Sequence, residues 1–244
     1  MSLQDQKYEA RDVRVASPFS EWLDNFWFHH KGKVIVSLIA LFMAIVVIVQ
    51  MVTVVPKDIM VMYSGRVYLS GSTMDDIQNI FSKVLSDAVQ EENKVVGLTQ
   101  YHVYSKTQIE SLRAETDADG VSLYVDSALN SKNFENYNAY IMTGQCAVLL
   151  LEPWLYEELQ RNDRLRPMKE LFSSLPASVD EKGYGIHFGE TELYRYYNVM
   201  REIPEDTIMC MLKPYVFGET SNESAYAQMQ TLFCAIVNYV PSES

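Results

Sequence analysis

From Val34 to Val55 the chain runs for 22 residues without a charged side chain. Ile35, Leu38, Leu41, Phe42, Ile45, Val46, Val47 and Ile48 all fall within this run. A helix of that length spans about 33 Å, enough to cross a hydrocarbon layer of about 30 Å. The run exceeds the apolar part of a cleavable signal peptide, and Pro56-Lys57-Asp58 offers no small-x-small cleavage site. Residues 34–55 therefore read as an uncleaved transmembrane signal anchor in contact with a lipid bilayer. In residues 1–33, Trp22, Leu23, Phe26 and Trp27 recur at helical spacing. That pattern predicts an interfacial aromatic helix leading into the span. The alternative is a docking helix for another membrane protein. Lys31, Lys33 and Arg14 lie before the span and Lys57 and Arg66 after it. This bias, with the short tail before the anchor and 189 residues after it, predicts a cytoplasmic N-terminus and an extracytoplasmic C-terminal domain.

Beyond residue 55 the apolar periods alternate between those of strands and helices. Ile59 to Tyr63 reads as a strand ending at Ser64-Gly65. Ser72-Thr73-Met74-Asp75 has the form of a capping box, and Ile77, Ile80, Phe81, Val84, Leu85 and Ala88 follow at helical spacing. Val95 to Tyr104 reads as a second strand. Thr107-Gln108-Ile109-Glu110 has the form of another box and opens a short helix. Phe134, Tyr137 and Ile141 mark a third helix that Gly144 ends. Cys146 to Leu151 is an unbroken apolar run, the pattern of a strand buried on both faces. A helix with Leu155 and Leu159 inward starts at Glu152-Pro153. Residues 173–183 read as a loop and Thr207 to Leu212 as a strand. A last helix covers about Glu223 to Tyr239, with Tyr226, Met229, Phe233, Ile236, Val237 and Val240 on one side. The alternation predicts one α/β domain over residues 56–244, with a mostly parallel sheet covered by helices.

Charge narrows the partners. The net charge is −12, and residues 56–244 hold 15 basic and 27 acidic residues. Such a surface is unsuited to nucleic acid. His102 and His187 are the only histidines beyond the anchor. H-E-x-x-H, C-x-x-C, G-x-S-x-G, S-x-x-K and Walker motifs are all missing, so no cofactor is implied. Cys146, Cys210 and Cys234 lie in apolar settings and read as buried small hydrophobes, with a Cys210–Cys234 bridge as an alternative. Glu115, Asp117, Asp119 and Asp126 fall at positions 1, 3, 5 and 12 of a calcium-type loop with Gly120 at position 6. Ser122 at position 8 and Asp at position 12 depart from that pattern. An Asp-Gly turn before a strand Val121–Val125 is the favoured reading. Asn222-Glu223-Ser224 is a formal glycosylation acceptor.

The 16 tyrosines carry more information. Tyr63, Tyr101, Tyr104 and Tyr215 fall where predicted strands end, and Trp154 follows the strand at 146–151. In open α/β sheets ligands bind beyond the carboxyl ends of strands, where aromatic rings supply flat contact area. These five are the candidate ligand-binding residues. Tyr137 to Leu151, reading YNAYIMTGQCAVLLL, resembles the helix–Gly–strand segment of extracellular solute-binding proteins. Leu165-Arg166-Pro167-Met168 is similar to a stretch that follows in them. The layout of tail, anchor and domain also resembles uncharacterised single-pass membrane proteins of Gram-positive anaerobes. The first resemblance implies a lobe of a binding protein and a small polar ligand or peptide. The sequence is thus read as a membrane-anchored, non-catalytic binding domain. The alternatives are a structural or assembly subunit of a membrane protein complex and, less favoured, a cell-envelope hydrolase.

Overall fold

In the computed structural model the chain divides into two compact units, Met1–Val55 and Pro56–Ser244. The structure describes residues 18–53, 57–115 and 124–241. The first unit contains α1, one continuous helix from Pro18 to Thr53. The tail helix and the span are therefore not separate elements. The stretch Asn25–Val49 is long and apolar enough to cross a membrane, with a mean hydropathy of 2.8 over an 18-residue window, none of which is buried by protein.

The second unit is a five-stranded sheet with helices around it. Its elements are β1 (Ile59–Gly65), α2 (Gly71–Val89), β2 (Val96–His102), α3 (Lys106–Ala114), α4 (Ser127–Met142), β3 (Val148–Leu151), α5 (Pro153–Arg161), β4 (Gly185–His187), α6 (Glu192–Tyr196), β5 (Ile208–Met211) and α7 (Glu223–Val237). The strand order is β2-β1-β3-β5-β4. Pairing is parallel across β2-β1-β3 and antiparallel across β3-β5-β4. β5 alone runs against the other four strands. The expected mostly parallel sheet is thus a mixed one, parallel on its β2-β1-β3 side. The reason is the segment 188–207, which returns the chain into β5 from the same end of the sheet at which β4 stopped; Phe188 donates its N–H to the Thr207 carbonyl there.

Two crossovers shape the domain. From β1 to β2 the chain moves one way across the sheet through α2, and from β2 to β3 it moves back past β1 through α3 and α4. Right-handed crossovers in opposite directions place their helices on opposite faces. α4 and α5 accordingly cover one face, where Tyr140 meets Tyr101. α2 and α7 pack together on the other. β3 is fully buried, as its unbroken apolar sequence requires. Ile77, Phe81, Val84 and Leu85 of α2 and Tyr226, Met229, Phe233 and Ile236 of α7 join it in one core. Ala88 of α2 is exposed, as is Val240, which lies beyond the end of α7.

Both helix starts lie two residues earlier than their capping-box patterns. Ser70 caps α2 by accepting from the Thr73 N–H. Ser105 forms a capping box with Gln108 at the start of α3. Gly144 follows the end of α4 at φ +63°, where its missing Cβ leaves room for the Phe217 carbonyl and the Thr220 hydroxyl. Gly183 shares the left-handed conformation, at φ +76°, but faces open space. G144A therefore meets both backbone strain and a steric conflict, and G183A meets strain alone. G144A should lower unfolding free energy by about 2 kcal/mol or more and G183A by about 1 kcal/mol, read from urea midpoints.

Candidate functional site at the carboxyl ends of the parallel strands

The crossovers from β1 and β3 leave in opposite directions, and open α/β sheets place their ligands beyond the carboxyl ends of strands so arranged. The residues that follow the strands there are Arg66 after β1, Tyr104 after β2, and Glu152 with Trp154 after β3. Glu152 closes β3 and is the residue immediately before α5. Its N–H donates to the Ser64 carbonyl, while its own carbonyl accepts the first helical bonds of α5.

The Glu152 side chain does not cap its own helix. It is 5% exposed and accepts three hydrogen bonds. Oε1 takes one from Arg66 Nη1 at 2.7 Å and one from Gln108 Nε2 at 2.8 Å. Oε2 takes one from Trp154 Nε1 at 3.1 Å. Arg66 also reaches Asp206 at 3.5 Å, so one guanidinium joins the ends of β1 and β3 to the start of β5. Gln108 turns its amide oxygen to the Ser105 N–H, completing the cap of α3. One carboxylate thereby fixes the loop after β1, the head of α3 and the Trp154 indole.

Trp154 and the head of α3 border a cavity of about 600 Å³ between α3, α4 and the start of α5. Tyr104, Ile109, Phe134 and Trp154 form its apolar lining, with Phe134 and Trp154 stacked at 6.0 Å. Lys106, Glu110 and Arg113 lie along its α3 wall. A cavity of about 150 Å³ adjoins it and shares Tyr104 and Asn130. Asn130 is locked in place, its amide exchanging two hydrogen bonds with the backbone of Tyr104.

Of the five candidate aromatics, Tyr104 and Trp154 line this cavity. Tyr101 is half-buried against Tyr140. Tyr63 is fully buried. Tyr215 follows β5, whose direction is reversed, so it lies at the other end of the sheet, under Arg164 at 4.8 Å. These residues do not form one contact face. Sequence reasoning passed over Glu152, although an acid between a buried strand and a helix-opening proline marks the mouth of such a crevice.

Of the calcium-type loop, Asp117 and Asp119 lie outside the described residues, as does the Val121–Leu123 part of the expected strand. Tyr124 and Val125 are not in a strand. Asp126 caps α4, accepting from the N–H groups of Ala128 and Leu129. Glu115 ends α3. Among the described residues no group of three acids, histidines or cysteines is placed to hold a metal. Asn222 caps α7 in the same way as Asp126 caps α4. The three cysteines are free, which removes the Cys210–Cys234 bridge. Cys146 and Cys210 are fully buried, and burial pushes both thiols well above their ordinary range. The thiolate a nucleophile needs is disfavoured at both. His102 is bound to the Arg66 carbonyl at 2.5 Å.

No protein-family model, curated protein or solved structure matches the chain.

Two predictions follow from the buried polar groups. E152A strands the donors of Arg66, Gln108 and Trp154 and should destabilise the domain by about 1–3 kcal/mol in urea unfolding. Burial also holds the phenols of Tyr63, Tyr137, Tyr140 and Tyr156 above their ordinary value near 10, with the Asp180 bond adding to the effect at Tyr156. Above that pH the folded state binds more protons than the unfolded chain. Stability from this source is intact below about pH 10 and falls as pH rises further, which urea midpoints at pH 8 to 11 will follow.

Proposed function

We propose that residues 56–244 form a non-catalytic binding domain for a small polar ligand or peptide, held at a membrane by α1. In this reading the N-terminus is cytoplasmic and the domain extracytoplasmic, as in a single lobe of a solute-binding protein. The observation that carries it is the cavity between Tyr104 after β2, Trp154 after β3 and the helices α3 and α4. Its volume of about 600 Å³ falls in the range of small-molecule sites, and its lining combines aromatic faces with a few charged groups. The supporting polar network is satisfied within the protein, so the walls are organised before a ligand arrives.

A second reading rests on α1. Its 36 residues extend about 54 Å, well beyond the thickness of a hydrocarbon layer. Toward its N-terminal end Phe19 stacks on Trp22 and Trp22 on Phe26, with the His30 ring tilted against Phe26 along the same face. Such a ladder suits either the lipid headgroup region or a neighbouring membrane protein, as an assembly subunit would need.

Two measurements test the first reading. The chain should stay with membranes through alkaline carbonate extraction and retain its N-terminus; release in a shortened form would make α1 a signal sequence instead. In detergent, one class among amino acids, short peptides and sugars should raise the domain's melting temperature. Ligand at 100 times its Kd adds about 2.7 kcal/mol. Cross-linking of α1 to a second protein, with no shift from any ligand class, would replace the binding reading by the assembly one.

A further inference from the structure

The cavity's polar groups fall into two sets. One set is spent inside the protein. The Trp154 indole N–H is held by Glu152. Both ends of the Asn130 amide are held by the Tyr104 backbone. Ser105 Oγ accepts from the Gln108 N–H, and Ser131 Oγ donates to the Ser127 carbonyl. Neutral sugars are recognised through hydroxyl hydrogen bonds to amides and carboxylates, and here the lining amide and indole are already engaged.

The other set is the charge along α3. Lys106, Ile109, Glu110 and Arg113 line the cavity at helical spacing, so the wall reads cation, apolar, anion, cation. Glu110 and Lys106 have no ion-pair partner among the described residues, nor does Arg113. Arg113 Nη2 instead donates to Ser127 Oγ at 3.1 Å, tying the guanidinium to the start of α4. A guanidinium held this way keeps further N–H groups for a carboxylate. Glu110 lies one helical turn from it, a separation at which side chains are neighbours. An α-amino acid bears its carboxylate and ammonium on one carbon and presents both charges over such a short span.

We propose, on the reading of the cavity as a ligand site, that it takes a zwitterionic α-amino acid with a bulky apolar side chain. The carboxylate meets Arg113, the ammonium meets Glu110, and the apolar body lies on the Phe134 and Trp154 rings.

Trp154 reports on the site. The chain has three tryptophans, and W22F/W27F leaves Trp154 as the sole indole in the full chain in detergent. L-Phenylalanine should change its emission saturably. Phenylalaninamide and N-acetylphenylalanine, each lacking one charge, should bind roughly tenfold more weakly or worse. R113A should weaken phenylalanine by a similar factor while leaving phenylalaninamide unaffected, and E110Q should spare N-acetylphenylalanine instead. Both residues are exposed on α3, and circular dichroism will confirm that each variant folds. Equal binding of the three probes, or binding of glucose in their place, overturns the amino-acid assignment and leaves the binding reading standing. If no amino acid, peptide or sugar perturbs Trp154, both are overturned.

Discussion

A carboxylate withdrawn from water is costly unless its oxygens are met by donors and its charge by a cation. Glu152 meets both conditions with donors from three segments that are distant in sequence: Arg66 after β1, Gln108 in α3 and Trp154 in α5. Arg66 remains 43% exposed, so the pair keeps one partner in solvent. That arrangement limits the desolvation penalty while retaining the geometry. The orientation of Trp154 and the capping of α3 both depend on this one group. Two parts of the cavity wall, Trp154 and the head of α3, are held by the same carboxylate. A carboxylate at this position could have capped α5, as acids before helices commonly do. Here it is used across the crevice, and the first turn of α5 begins with Pro153, which has no N–H to cap.

The reversed strand decides which half of the sheet is open. The chain leaves β4 and returns into β5 at the carboxyl end of the parallel strands, so residues 188–207 lie beside that end, with Asp206 near Arg66. The β2-β1-β3 half is bordered instead by α3 and the start of α4, and the cavity lies there. Had β5 been parallel, Tyr215 would have lain near the same crevice. Because β5 is antiparallel, Tyr215 sits at the opposite end of the sheet, beneath Arg164.

Much of the fold was legible because its signals are local. The unbroken apolar run of β3, the helical period of α2 and α7, and Gly144 after α4 each have one physical explanation, and each appears where its pattern lies. The helix starts were less legible. Ser72-x-x-Asp75 and Thr107-x-x-Glu110 satisfy the capping pattern, but Ser70 and Ser105 do so two residues earlier, and the chain's exit from the sheet selects between them. β4 was missed because three residues show no period. The site was half legible. Tyr104 and Trp154 follow parallel strands, where the strand-end rule holds. Tyr63 lies within β1 itself, a strand buried on both faces, so its side chain is enclosed in the core. Glu152 was not legible as a hub, since only the topology brings Arg66 to it across 86 residues.

Charge at two scales bears on what such a cavity admits. The protein carries a net charge of −12, and its long-range field disfavours the approach of anions. Beyond roughly 10 Å that field is screened at ordinary ionic strength, and groups lining the cavity act at shorter range. On the proposed reading, Lys106 and Arg113 act on a carboxylate at this short range without making the domain a general anion collector. A ligand with no net charge is neither attracted nor repelled at a distance, and it meets the cation and anion of α3 only once inside. The distribution of charge thus favours a neutral zwitterion over a free anion of the same shape, independently of the apolar surface that would hold its body.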